Sequence, residues 1–480
     1  MVHEQLHHPM DHSADDGFAE KSDGFMNWLK SHPGVRVSFK IRIADLRSNA
    51  AGRGVETVAC EEIAQDEELF AIPENLVLSV QNSKLKDHLN FTDKELDSWL
   101  SLIVTMIYEY LHGGASRWSS YFAVLPTDFD TLMFWSQDEL RELQGSSVLS
   151  KIGRQEADEM IMGKVYPLIL DYPGLFPTPK ELSSFNSQQG KEAILHLAHR
   201  MGTLIMAYAF DIENEMDREE EDQDGEDGYI TDNEQETAKG MVPLADMLNA
   251  DAHRNNARLF QEDGYFIMKS IVPISMEEEI FNDYGELPRA DLLRRYGYIT
   301  ENYSPYDVVE ISLEAICKVA GVEKNCPQLE LLETAEILED GYSLLRPETD
   351  ANLVEAISPE LIVLLRTLTM TPDNLNQMRV KGKLPKPQLD QASAKLLIEV
   401  LQSRQNDYPT TIAQDDELLH STHSHRREMA IRVRKGEKEV LQLLLNGLHT
   451  YLGEIAESPK HQPKRSNPDT GKGRKMPKLK

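Results

Sequence analysis

The chain has 480 residues, 40% hydrophobic and 27% charged, a globular balance in a length that suits two cores better than one. Its 50 Lys and Arg against 81 Asp and Glu leave a formal charge of −31, which argues against a nucleic-acid binder, because that function needs a basic face to displace counterions. Three scattered cysteines, Cys60, Cys317 and Cys326, exclude a disulfide framework and offer no zinc-type pair.

No apolar run reaches membrane-spanning length and the start lacks a signal-peptide core, so a soluble intracellular protein with no membrane partner is expected. Residues 1–20 carry His3, His7, His8 and His12; with nothing to fix their geometry they read as a disordered terminus. Asp23 can cap a short helix through Phe25, Trp28 and Leu29, which Pro33-Gly34 stops. From Val35 to Ile43 apolar and polar residues alternate, which predicts one strand with a buried face. Ala51-Gly52-Arg53-Gly54 reads as a turn using glycine at positive φ. Leu96, Trp99, Leu100, Ile103, Met106, Ile107 and Tyr110 fall at helical spacing and predict an amphipathic helix over 91–110, with Trp99 a core residue. Further helices are expected over 154–170 and 191–211. The carboxylate run 217–236 cannot bury enough surface to offset its ordering entropy and reads as a disordered loop.

Residues 241–298 carry the most informative pattern. Asp263-Gly264 separates two apolar-rich runs, a hairpin signal. After Pro273 the chain returns as a strand ending at Tyr284, and a Tyr followed by Gly at a strand end places a phenol at a sheet rim. Asn249 closes the run Leu244-Ala245-Asp246-Met247-Leu248, where its default role is a local cap. Beyond Tyr298 the pattern predicts a strand over 307–312 and helices over 329–345, 353–368, 389–405 and 427–452. His420, His423 and His425 read as a solvated helix start rather than a ligand cluster. The basic stretch 458–480 reads as a flexible tail and a nuclear-import signal, so the nucleus is the expected location, with the cytoplasm second.

LADMLN at 244–249, EEEIFNDYG at 277–285 and LLRRYGY at 292–298 together resemble the catalytic half of the SET-domain protein-lysine methyltransferases. The likeness is to the branch that includes the Rubisco large-subunit and ribosomal-protein lysine methyltransferases. It implies an α+β fold: a SET β-fold over 21–305 with a helical insertion at about 91–240, then an all-α substrate-binding domain over 306–457. It also implies S-adenosyl-L-methionine as cofactor, held by Ala51, Gly52, Arg53, Gly54, Tyr208, Asn249, Ala250 and Tyr296. Trp99, Ala209 and Tyr284 would face the substrate lysine, with Tyr284 catalytic. Tyr208 keeps its alternative as an amphipathic core residue. The family usually has His where this chain has Ala250, which leaves only a backbone contact there. The chain also lacks the Cys-rich flanks of the histone-directed enzymes.

Methyl transfer to an amine is an in-line displacement, so it needs alignment and a neutral nitrogen, although free lysine titrates near about 10.4. A dry channel and a neighbouring sulfonium both favour proton loss, and the Tyr284 hydroxyl can orient the lone pair. The acidic body favours a basic protein partner. The resemblance implies monomethylation of a large-subunit ribosomal protein by a monomeric enzyme. The alternatives are a catalytically silent SET module binding a basic partner, and a methyltransferase for a nuclear regulator or histone.

Overall fold

The computed structural model describes residues 17–47, 51–58, 61–91, 94–213, 238–348 and 353–457. The expected acidic loop, His-rich start and basic tail lie outside them. Two compact units emerge: residues up to Tyr306 with Thr422–Val433, and Asp307–Ser421 with the chain from Arg434 onward.

The first unit opens with α1, Phe18–Lys30, which starts at Gly17 (φ 70) rather than at Asp23. Its earlier start has a packing cause: the Arg53 guanidinium sits 3.9 Å over the Phe18 ring, and Ser22 Oγ donates to Phe18 O. The alternating stretch 35–43 is likewise two strands rather than one. β1 (Arg36–Val37) and β2 (Ile41–Asp45) enter different sheets, and Phe39 between them is 71% exposed. Alternation reports a face but not a corner.

β2 pairs with β3 (Arg53–Thr57), while β1 pairs with β4 (Glu68–Pro73). α2 begins at Ser98 and runs to Leu111, seven residues later than its apolar pattern suggested, because Asp97 accepts from Leu100 N and Glu95 adopts φ 51. Short helices α3 (Ser119–Phe122), α4 (Gln137–Arg141), α5 (Arg154–Met160) and α6 (Tyr166–Asp171) follow. They lead to α7, Gln188–Tyr208, which packs against α2. Instead of continuing to 211, α7 gives way to β5 (Ala209–Ile212), paired with β6 (Ala238–Met241). That switch holds Tyr208 beside the run that follows β6.

The hairpin forms as expected. β7 (Ala257–Glu262) and β8 (Tyr265–Ser270) join through Asp263 (φ 48) and Gly264 (φ 76), the left-handed pair that matches strand twist. β8 also pairs with β4, giving the order β1-β4-β8-β7. β9 is only Glu279–Ile280, paired with β3, so the strand predicted to reach Tyr284 stops short of it. The helix Arg289–Tyr296 follows.

His420, His423 and His425 are exposed, as expected of a solvated helix start, and the first turns of the last helix, which belong to this unit, become packed from Met429 on. Met429, Ala430 and Val433 are buried with Leu132, Trp135 and Leu293. Arg426 donates to Asp130 Oδ1 at 2.8 Å and to Phe129 O at 3.1 Å.

Among the described residues the second unit is helical apart from one antiparallel ribbon, β10 (Val308–Ser312) with β11 (Gly341–Leu345). The helix expected over 329–345 therefore ends at Thr334. Glu336 at φ 57 breaks it, and pairing with β10 takes up the second half. Helices Pro359–Leu368 and Gln391–Gln405 supply the core through Leu361, Leu364, Leu397 and Leu401.

Candidate functional site

The site is organised by a strained turn. Leu244 has φ 76, a region a bulky L-residue rarely adopts, and it opens the single 3-10 turn Ala245–Met247. Strain persists where flanking contacts over-determine it. Here Met241 N and O exchange bonds with Leu78 at 3.0 Å, and Asp246 Oδ2 accepts from the Tyr121 hydroxyl. Asp246 is 8% exposed, and its Oδ1 has no hydrogen-bond partner among the described residues. Burial pushes its carboxyl up to about 7, against the Tyr121 bond and the neighbouring backbone N–H groups of Asp246 and Leu244, which favour the charged form.

Asn249 ties this turn to the strand segment beside it. Its Nδ2 donates to Glu279 Oε1 at 2.7 Å and its carbonyl accepts from Asn282 N at 2.8 Å. Ala250 forms a parallel bridge with Asn282. From the other side Asn256, 3% exposed, donates to Glu279 O at 2.9 Å and accepts from Phe281 N at 2.8 Å. The segment that carries Tyr284 is thus fixed by side-chain amides together with backbone bonds, among them Asn256 N and Ala257 N to Phe281 O and Asp251 N to Asn282 O.

Tyr284 donates to Leu248 O at 3.4 Å, a long and weak contact. Its ring stacks on Tyr296 with centroids 4.1 Å apart and planes 6° apart. Burial, then the phenols Tyr298, Tyr296 and Tyr208, push its hydroxyl well above the ordinary tyrosine value, so it stays neutral. Tyr296 is placed by the helix stop at Gly297 (φ 79), where a Cβ would come within 2.8 Å of Thr131 N.

A cavity of about 250 Å³ is lined by Phe18, Gly52, Arg53, Val124, Tyr208, Asp246, Leu248, Asn249 and Tyr284, among others. Of the residues singled out in the sequence, the fold brings Gly52, Arg53, Tyr208, Asn249 and Tyr284 to its wall. Tyr296 supports Tyr284 from behind, and Ala51 precedes Gly52, with its N–H on Leu46 O. Ala209 opens β5 opposite Met241.

Trp99 does not line the cavity; it stands against α7 at Gly202, where a Cβ would lie 3.8 Å from its Nε1. The turn reading of Gly52 and Gly54 is corrected as well, since neither has positive φ. Gly54 lies inside β3, and a Cβ there would meet Leu46 Cδ1 at 2.4 Å and Asn249 Nδ2 at 3.1 Å. Close approach, not backbone freedom, requires glycine there. Asp246, Asn256, Glu279 and Tyr121 were not singled out. For Asp246 the signal was present, a charge inside an apolar run, of the same kind that marked Asn249.

Residues 52–285 match the SET domain and residues 326–441 match the Rubisco LSMT substrate-binding domain. Ribosomal lysine N-methyltransferase 4 of Saccharomyces cerevisiae is 33% identical over 74% of this chain and 72% of its own length. N-lysine methyltransferase SETD6 of Rattus norvegicus is 28% identical over 88% of this chain and 89% of its own. A solved structure of Rubisco LSMT bound to sinefungin and monomethyllysine is 20% identical, covers 91% of this chain and 92% of that one, and gives a TM-score of 0.66.

Proposed function

The chain belongs to the SET-domain protein-lysine methyltransferases of the Rubisco LSMT type, and from that premise we propose that it monomethylates a lysine of a basic large-subunit ribosomal protein. It is an S-adenosylmethionine-dependent protein-lysine N-methyltransferase. That cofactor supplies an electrophilic methyl group on a sulfonium.

The residues present fit such a cationic, partly polar group. Gly52 has open space where a Cβ would stand, Asn249 offers its amide, and Asp246 presents an unpaired carboxylate oxygen. In this reading Gly52, Arg53 and Asn249 bind the cofactor, and Tyr284 orients the lysine nitrogen with a hydroxyl that Leu248 O holds only weakly. Replacing Asn249 by Ala is expected to weaken S-adenosylmethionine binding by about 1 to 3 kcal/mol, the effect of a buried group losing its partner. Calorimetry on the full chain checks this, and unchanged affinity would return Asn249 to a purely structural role.

One observation carries the substrate reading: the formal charge of −31, on a chain similar to an enzyme named for ribosomal lysine. A field of that sign raises the encounter rate of a cationic protein and is screened by salt. Accordingly, kcat/KM on a basic ribosomal protein should fall roughly tenfold as salt rises from about 0.05 to about 0.3 M. A short peptide bearing the same lysine should be a far poorer substrate. Labelled methyl transfer into fractionated ribosomal and nuclear proteins is the test. A single labelled large-subunit band is the expected result; label confined to nuclear proteins would overturn the ribosomal reading.

A further inference from the structure

The wall of the cofactor cavity is completed from outside the part of the chain that matches the SET domain. Gly52, Arg53, Val124, Asn249 and Tyr284 all fall within 52–285, whereas Phe18 precedes that stretch and reaches the cavity from the first turn of α1. Its ring is half-buried and held by two guanidinium groups, Arg53 at 3.9 Å and Arg47 at 4.1 Å from its centre. Both cations are themselves fixed. Arg47 Nε donates to Asp45 Oδ1 at 2.8 Å and its Nη2 to Asp45 Oδ2 at 2.6 Å, at the end of β2. Arg53, opposite Asp45 in the β2–β3 register, donates to Ser22 Oγ, Val124 O and Phe18 O. A cation over an aromatic face is attracted by the ring's electron density, so the two arginines set where Phe18 stands.

The backbone that carries this ring is secured less firmly. Gly17, which opens α1, adopts φ 70 and supplies no capping side chain, and a helix start without such a cap frays at low cost. Side chains hold the turn instead. Ser22 Oγ donates to Phe18 O at 2.8 Å, and Arg53 Nη2 reaches the same oxygen at 3.4 Å. Because the ring borders the cavity, a molecule seated there takes more of its apolar surface out of water. Binding and ordering of the turn therefore favour one another.

We propose that Phe18 is a cofactor-contact residue: its ring packs against bound S-adenosylmethionine, and loosening of the first turn of α1 lets the spent cofactor leave. The inference rests on the S-adenosylmethionine dependence of the chain and is independent of the ribosomal substrate. An apolar contact of this kind acts after encounter, so it governs the dissociation rate and leaves the association rate nearly unchanged. Removing the ring also leaves Arg53 its three oxygen acceptors, since the one at Phe18 is the backbone carbonyl.

The test uses the full chain and no protein substrate. In calorimetry with S-adenosylmethionine and with S-adenosylhomocysteine, Phe18→Ala should raise Kd about tenfold, and stopped-flow binding should place that change in the dissociation rate. Phe18→Tyr keeps the ring and should restore both values, a rescue that separates contact with the cofactor from general packing of α1. Hydrogen exchange supplies the second readout. In the wild-type chain, saturating S-adenosylhomocysteine should slow exchange of the amides of residues 19–22, and Phe18→Ala should lose most of that protection. The wild-type exchange decides the matter if Phe18→Ala does not fold. A Phe18→Ala chain with wild-type Kd and dissociation rate, or wild-type amides at 19–22 that exchange equally with and without the cofactor product, overturns the proposal. Neither measurement involves methyl transfer to a protein, so failure here is distinct from failure of the ribosomal reading.

Discussion

Replacing Tyr284 by Phe is expected to lower kcat by about 100- to 1,000-fold, the scale on which a single donor to the reacting atoms acts. The change should leave the fold and cofactor affinity intact. The ring's position depends on stacking with Tyr296 at 4.1 Å, which Phe preserves, whereas the hydroxyl makes only the 3.4 Å contact to Leu248 O. Loss of the hydroxyl therefore removes little packing and little native hydrogen bonding. Because burial raises the phenol well above its ordinary value, it acts as a neutral hydroxyl and not as a phenolate. Single-turnover transfer of labelled methyl, with calorimetry of S-adenosylmethionine binding, separates the two effects. An active Phe variant would remove Tyr284 from the chemistry.

Asn256→Ala is expected to be the most damaging change outside the cavity wall, destabilising the chain by about 2 to 5 kcal/mol. It strips Glu279 O and Phe281 N of their side-chain partner in a position 3% exposed, and each buried orphan costs about 1 to 3 kcal/mol. Because that segment leads directly into Tyr284, kcat should fall as well. Asn256→Asp keeps an acceptor for Phe281 N but loses the donor to Glu279 O, so its loss of stability should be intermediate. Denaturant titration of both variants gives the measure, and a fall of less than about 1 kcal/mol for Asn256→Ala would mean that the segment is held mainly by its pairing with β3.

Periodicity and turn chemistry by themselves determined a large part of this protein. The β7–β8 hairpin is local, set by Asp263-Gly264 between apolar runs, and the helix Gln391–Gln405 follows from its own apolar spacing. The motifs around Asn249, Tyr284 and Tyr296 marked the family through their resemblance to its motifs in content and order. Tertiary structure alone decided what no local window contains. The alternating run 35–43 is divided between two sheets, since its first part pairs with β4, more than 30 residues on, and its second part with β3. The half of 329–345 that became β11 was drawn from helix by its register with β10. Trp99 lies against α7 and away from the cavity, and Gly54 is glycine because Leu46 and Asn249 converge on it. In the sequence Asp246 is marked only as a charge inside an apolar run. Only the packing of α3 and α7 around its turn shows that one of its oxygens is paired and the other is not; burial and pairing are properties of neighbours in space, which sequence spacing does not specify.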